Sequence, residues 1–231
     1  MSSEKWTAFW KEHGQVSKSS SMQEQVLRTY NKQAVSETVW SNTLQYITDH
    51  LELQRDDVVL DLCCGNGLIS QYIAPECSKV VSVDVTPEFV DSLSKLDLPN
   101  VETVCANVSQ LEFPKGSFSI IIIYAGIQYF SLAEVVSLFK KFAYWLKPGG
   151  RLFIGDIPDI SKTWNFYNSP EREAFYFESC ENNNDVVGTW FDKQWLLKLS
   201  EYAGFSHTFA IEQPMEQIYS HFRFDFKATK K

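Results

Sequence analysis

From Asp57 to Asp156 the chain alternates short apolar runs with amphipathic stretches, and that rhythm leaves few architectures open. Residues 57–62, 80–84, 101–106, 118–124 and 151–155 are runs of strand length, rich in Val, Ile, Leu and Phe. Between them, residues 68–73, 87–96 and 132–146 carry helical spacing. Pro87 stands at a first helical turn, and Lys147-Pro148-Gly149-Gly150 closes the last of the three helices. Strands that read as continuous apolar runs are buried on both faces, which places helices above and below a mainly parallel sheet. The expected fold class is therefore α/β, a doubly wound sheet.

The flanks read differently. Trp6, Phe9, Trp10 and His13 recur at three- and four-residue steps and predict an amphipathic helix, followed by a loose polar segment over 18–21. A helical pattern over 23–53 carries Val26, Tyr30, Val35, Val39, Trp40, Leu44 and Ile47 as candidate buried positions. Residues 157–189 have no clean period and hold Asn182-Asn183-Asn184. A helix over 192–203 ends at Gly204, and strands over 207–211 and 219–228 are joined by a turn at Gln213-Pro214.

Charge and cysteine usage narrow the function classes. Lys plus Arg is 21 against 29 for Asp plus Glu, a net charge of −8, so a nucleic-acid partner is not expected. The longest apolar stretch, residues 120–130, is interrupted by Gly126 and Gln128 and falls short of the roughly twenty residues a membrane span needs, so no membrane association is expected. The start, Met1-Ser2-Ser3-Glu4-Lys5, is polar, and Cys63, Cys64, Cys77, Cys105 and Cys180 form no CxxC pair. Reduced, mostly buried thiols, a cytoplasmic location and no metal site are expected, in a monomer or a homodimer.

The first apolar run ends in Cys63-Cys64-Gly65-Asn66-Gly67. In a doubly wound sheet the ligand sits at the carboxyl ends of the strands, and a turn of residues without bulk lets the backbone approach it. Asp84, at the end of the second run, is placed to accept the hydroxyls of a ribose. Together these predict a nucleoside-containing cofactor. The third glycine of a dinucleotide fingerprint is missing, since Gly67 is followed by Leu68-Ile69-Ser70.

These residues carry a family resemblance. Val59-Leu60-Asp61-Leu62-Cys63-Cys64-Gly65-Asn66-Gly67 resembles motif I of the class I S-adenosylmethionine-dependent methyltransferases, and Val83-Asp84-Val85-Thr86 resembles their acidic ribose-binding motif. Asn107-Val108-Ser109-Gln110-Leu111-Glu112-Phe113 and Leu146-Lys147-Pro148-Gly149-Gly150-Arg151-Leu152 are similar to the family's later motifs. The resemblance implies a Rossmann-like seven-stranded sheet of order 3-2-1-4-5-7-6 with the last strand antiparallel. It also implies an N-terminal helical lid (1–53), a cofactor-binding core (54–156), a substrate-side insertion (157–190), and a final helix and strand pair (191–231). The implied cofactor is S-adenosylmethionine, with S-adenosylhomocysteine as product. By position, Asp61 and the backbone of Cys63, Gly65, Asn66 and Gly67 would hold the methionyl end. Asp84 would bind the ribose, with Val85 packing on the adenine and Thr86 completing that motif. Asn107 and the Val108 amide would meet the adenine edge, Tyr124 and Ala125 would line the space beside the sulfonium, and Tyr30 would reach in from the lid. The chain departs from the pattern at Cys63, where a glycine is usual, at Asn107, where an Asp is usual, and at Ser119, where an Asp often opens the fourth strand.

The acceptor is less legible. No (Asn/Asp)-Pro-Pro-(Tyr/Phe) motif follows the fourth strand, where Tyr124-Ala125-Gly126-Ile127 stands, and no Pro-Cys pair occurs. That disfavours exocyclic-amine and cytosine-C5 methylation and leaves a small molecule such as a sugar, a natural-product precursor or another metabolite. A protein or RNA methyltransferase, and a cofactor-binding regulatory protein, remain as alternatives. Candidate catalytic residues are Asp156, after the fifth strand, and His221, read as opening the last strand on one face with Tyr219, Arg223 and Asp225. Gln128, Trp164, Tyr167 and Arg223 are candidate acceptor-binding residues. The aromatics between Trp164 and Trp195 could stack on a flat acceptor or bury the insertion.

Overall fold

The computed structural model describes residues 3–18, 20–30, 33–182, 184 and 187–231; Asn183 of the insertion lies outside them. Seven strands form one sheet: β1 (Val58–Leu62), β2 (Lys79–Asp84), β3 (Val101–Cys105), β4 (Phe118–Tyr124), β5 (Leu146–Pro158), β6 (Phe205–Glu212) and β7 (Arg223–Lys230). Their order is β3-β2-β1-β4-β5-β7-β6. The first five are parallel, and β7 runs antiparallel between β5 and β6.

The period-two alternation of strand side chains sends successive residues of the central strands into two separate buried layers. Leu60, Leu62, Ile121 and Ile123 point into one buried layer with Phe139, Phe142, Leu196 and Leu199. Val59, Ile120 and Ile122 point into the opposite layer with Leu44, Ile47, Leu51, Ile69 and Ile73. Helices therefore cover both faces: α6 (Leu132–Trp145) and α9 (Lys193–Ala203) on the first, α3 (Glu37–Leu51) and α4 (Ser70–Ile73) on the second. Among the described residues, no helix is long and apolar enough to cross a membrane.

The N-terminal segment differs from the pattern read in the sequence. The helix expected over 23–53 is two helices separated by a two-residue ribbon, Thr29–Tyr30 against Gln33–Ala34. The serines account for the break. Ser21 caps α2 (Met22–Gln25) in a capping box with Glu24, Leu27 leaves it at φ +55, and Ser36 caps α3 through the Val39 amide. Helix α1 (Ser3–Val16) forms as the Trp6/Trp10 spacing predicts and lies against α5 (Pro87–Ser94), with Trp10 edge-on to Phe89 and Tyr129.

Three further expectations are corrected. The insertion is helical, with α7 (Thr163–Phe166) and the Ser169-capped α8 (Pro170–Glu181). Helix α8 buries no residue, so it shows no apolar period to detect. The last strand starts at Arg223 rather than at residue 219, because the Phe222 and Arg223 amides donate to the Tyr219 carbonyl and close a turn. Where mostly buried thiols were expected, Cys77 is buried, Cys63 and Cys64 are half-buried, and Cys105 and Cys180 are exposed.

Candidate active site

The carboxyl ends of β1, β2, β4 and β5 open into one cavity of about 330 Å³, roofed by α1 and the segment after α2. Four non-glycine residues that line it sit in the left-handed region: Leu27 (φ +55) after α2, Cys63 (φ +57) after β1, Ala125 (φ +54) after β4, and Asp156 (φ +62) at a register shift of β5. Each such residue costs on the order of 1–2 kcal/mol, and strain of this kind concentrates at functional sites. Cys63 thus adopts the backbone that a glycine would take there. Gly65 (φ +57) forms the floor, where an added Cβ would come within 2.7 Å of Val26 Cγ1 from the roof.

Asp84 marks one end of the cavity. Its Oδ2 accepts the Gly65 amide at 2.8 Å and its Oδ1 accepts the Thr86 amide at 2.9 Å. A carboxylate has about four acceptor sites, so half of its capacity remains. Asp61 accepts the Ser70 hydroxyl at 2.6 Å, and Ser70 in turn accepts from Ser82 at 2.8 Å. Burial pushes the Asp61 carboxyl up to about 7. It also raises the Cys63 and Cys64 thiols well above their ordinary range, with Asp84 and Asp61 adding to the effect, so neither is a ready thiolate. The Asn107 Oδ1 accepts the Ser109 amide at 2.9 Å, which caps a short 3₁₀ turn beside Val85 and Val108.

The other end holds a buried charge cluster. Arg28 Nη1 donates to Asp156 Oδ2 at 2.6 Å, and its Nη2 donates to the Tyr124 hydroxyl at 2.5 Å. Arg223 Nη1 donates to the Asp156 carbonyl at 2.5 Å and lies 3.4 Å from Oδ2. Gln213 bridges Asp156 and Asp225, the Asp156 amide donates to Asp225 Oδ1, and the Tyr46 hydroxyl donates to Oδ2. Burial pushes the Asp156 carboxyl upward, but Arg28 and Arg223 outweigh it and hold it below the usual carboxylate range. Asp225 has no such cation at its oxygens, and burial raises it to about 6.

Residues 59–150 match the family described as "Methyltransferase domain". An uncharacterized methyltransferase of Schizosaccharomyces pombe is 32% identical over 126 residues, which cover 50% of this chain and 44% of that one. A demethylmenaquinone methyltransferase of Lactococcus lactis is 30% identical over 158 residues, covering 62% of this chain and 58% of that one. The chain thus spans about half the length of these relatives. In fold it is similar to phosphoethanolamine N-methyltransferase 1 of Haemonchus contortus, solved with phosphoethanolamine and S-adenosylhomocysteine (TM-score 0.71, 12% identity, 99% of this chain and 50% of that one). Residues 59–150 thus form a methyltransferase domain, of a kind that uses S-adenosylmethionine.

The cavity of this methyltransferase domain fits that cofactor. A turn without bulk floors it, and at its wall stand Asp84, with unspent acceptor capacity, and Asn66, whose buried Oδ1 has no protein partner. The structure brings Asp61, Cys63, Gly65, Asn66, Asp84, Val85, Asn107, Val108, Tyr124, Ala125, Gln128, Asp156 and Arg223 to the wall. Gly67 and Thr86 stand behind it, Gly67 against Leu93 and Thr86 against α1 at Gly14.

Four expected residues lie elsewhere. Tyr30 is 61% exposed on the ribbon, because the break after α2 turns its side chain outward. Trp164 is 53% exposed and packs on Tyr176 and Phe177, and Tyr167 is buried among Phe166, Tyr176 and Trp190. His221 is exposed because residues 219–222 form a turn rather than a strand face; burial and nearby arginines lower its pKa and favour the neutral ring. Sequence reasoning missed Arg28, Trp10 and Phe222, all at the wall, while Phe166, one of the insertion aromatics read as able to stack on an acceptor, and Tyr219 do line it. The one local signal for Arg28 was a lone cation directly after Val26-Leu27.

Proposed function

We propose that the protein transfers a methyl group from S-adenosylmethionine to a small-molecule acceptor bound in the same cavity. The observation that carries this reading is the continuity of one cavity from Asp84 and the Gly65 turn to Tyr124, Asp156 and Arg223. The cofactor supplies a methyl group activated on a sulfonium. In the chain, Asp84 receives the ribose hydroxyls, and Val85, Val108 and Trp10 enclose the adenine with Asn107 at its edge. Asp61, Asn66 and the backbone of residues 63–65 hold the methionyl end, which leaves Tyr124 and Ala125 beside the reacting carbon. In-line transfer would need the acceptor atom near the methyl carbon, and Gln128, Arg28, Arg223, Tyr219 and Phe222, which line the same cavity, would hold it there. Holding two reactants in such a geometry is the main catalytic contribution open to the site. Asp156 acts as a positioning residue, since its carboxylate is committed to the arginines and held ionised. Enclosure by α1 and the insertion supports a small acceptor over a macromolecule.

Thermal unfolding with S-adenosylhomocysteine tests the cofactor half. At about one hundred times its Kd the ligand stabilises by about 2.7 kcal/mol, and Asp84→Ala abolishes the shift. Wild-type protein that melts at the same temperature with millimolar ligand overturns the reading. Transfer of labelled methyl across a panel of acceptors tests the other half.

A further inference from the structure

The acceptor end of the cavity contains more cationic donor capacity than the protein uses. Arg28 is 5% exposed and Arg223 9% exposed, and both line the cavity. Asp156 Oδ2 and the Tyr124 hydroxyl occupy the two terminal nitrogens of Arg28. Arg223 is committed through Nη1 alone, and chiefly to a neutral carbonyl. Its Nε is buried with no protein partner, as is the Nε of Arg28. The second buried carboxylate of the cluster, Asp225, is taken up by Tyr46, Gln213 and the Asp156 amide rather than by either arginine.

The environment of Arg223 defines the direction of its spare donors. The rings of Tyr219 and Phe222 lie 5.3 Å and 5.0 Å from the guanidinium carbon. With Nη1 held by Asp156, the Nε–Nη2 side of the planar fork remains, and that side presents two parallel N–H groups. Such a fork matches the paired oxygens of a carboxylate or a phosphate better than any neutral group. A purely structural ion pair would instead turn this edge onto Asp156 or Asp225.

We infer that the acceptor carries an oxyanion, a carboxylate or a phosphate monoester, which docks bidentately on the Nε–Nη2 edge of Arg223 while its apolar body lies against Phe166, Tyr219 and Phe222. The inference rests on the methyltransferase reading and specifies its substrate class.

Calorimetric titration of the S-adenosylhomocysteine-loaded protein tests it with three probes of one shape: phenylacetate, phenyl phosphate and the neutral phenylacetamide. At least one anion binds tenfold or more tightly than the amide, and which anion binds identifies the carboxylate or the phosphate as the source. Arg223→Lys, which keeps the charge and removes the fork, abolishes that preference and leaves S-adenosylhomocysteine affinity unchanged. Equal affinity for all three probes on wild-type protein overturns the inference and needs no variant that might fail to fold. So does an Arg223→Lys protein that loses S-adenosylhomocysteine but keeps 5′-methylthioadenosine, because the fork would then serve the methionyl carboxylate. Failure of wild-type protein to bind S-adenosylhomocysteine at all sinks the underlying reading instead.

Discussion

Asp61 shows how burial alters the chemistry of a side chain. It is the last but one residue of a buried strand, and burial lifts its carboxyl to about 7 although the Ser70 hydroxyl opposes the shift. A carboxyl raised on folding contributes most below its unfolded value, near 3.8, and that contribution is lost as pH climbs toward 7. Asp61→Asn should therefore match wild type in urea unfolding near pH 4. By pH 8 it should be relatively more stable, by at most about 4 kcal/mol. A difference that is the same at both pH values would contradict the burial of this group. Asp61, Gly65 and Asp84 were readable in the sequence because one short strand and one tight turn place them. Arg28 was not, because its partners Tyr124 and Asp156 stand far along the chain. No periodicity spans such a distance.

Helix α1 shows what an element can and cannot reveal. Its Trp6/Trp10 spacing predicts a helix, yet what it covers is decided by Gly14, where an added Cβ would lie 2.4 Å from Thr86 Cγ2 beside the acidic motif. Thr86 is fully buried and has little room to yield. Gly14→Ala should raise the intrinsic helix propensity by about 1 kcal/mol and still loosen the roof. The expected outcome is faster limited proteolysis within α1 and several-fold weaker S-adenosylhomocysteine binding. Unchanged proteolysis and affinity would mean that α1 does not close on Thr86. The insertion teaches the converse lesson. Its aromatics were visible, but α8 buries none of its residues, and Phe166 reaches the cavity whereas Trp164 does not. Only packing separates these neighbours.

Across the whole molecule, the charge cluster joins four parts of the chain: the roof through Arg28, α3 through Tyr46, the sheet through Tyr124 and Asp156, and the C-terminal strands through Gln213, Arg223 and Asp225. Removing one member of a buried ion pair typically costs about 3–5 kcal/mol, because its partner is left uncompensated. Arg28→Met and Asp156→Asn should each destabilise strongly, and the double variant by at least about 1 kcal/mol less than the sum, as denaturant melts of the four proteins would report. Strict additivity would place the two groups in separate environments.

The amino-acid sequence by itself determined a parallel sheet and the turn at its cofactor edge, while the order of the strands rested on the family resemblance. Those two features follow from local periodicity and from a turn whose backbone needs show in the residues that form it. The acceptor end was decided only by tertiary structure. Strand pairing brings Tyr124, Asp156 and Arg223 together at one edge, the segment after α2 sets Arg28 beside them, and the donor capacity left over becomes definable only once each donor has met its partner.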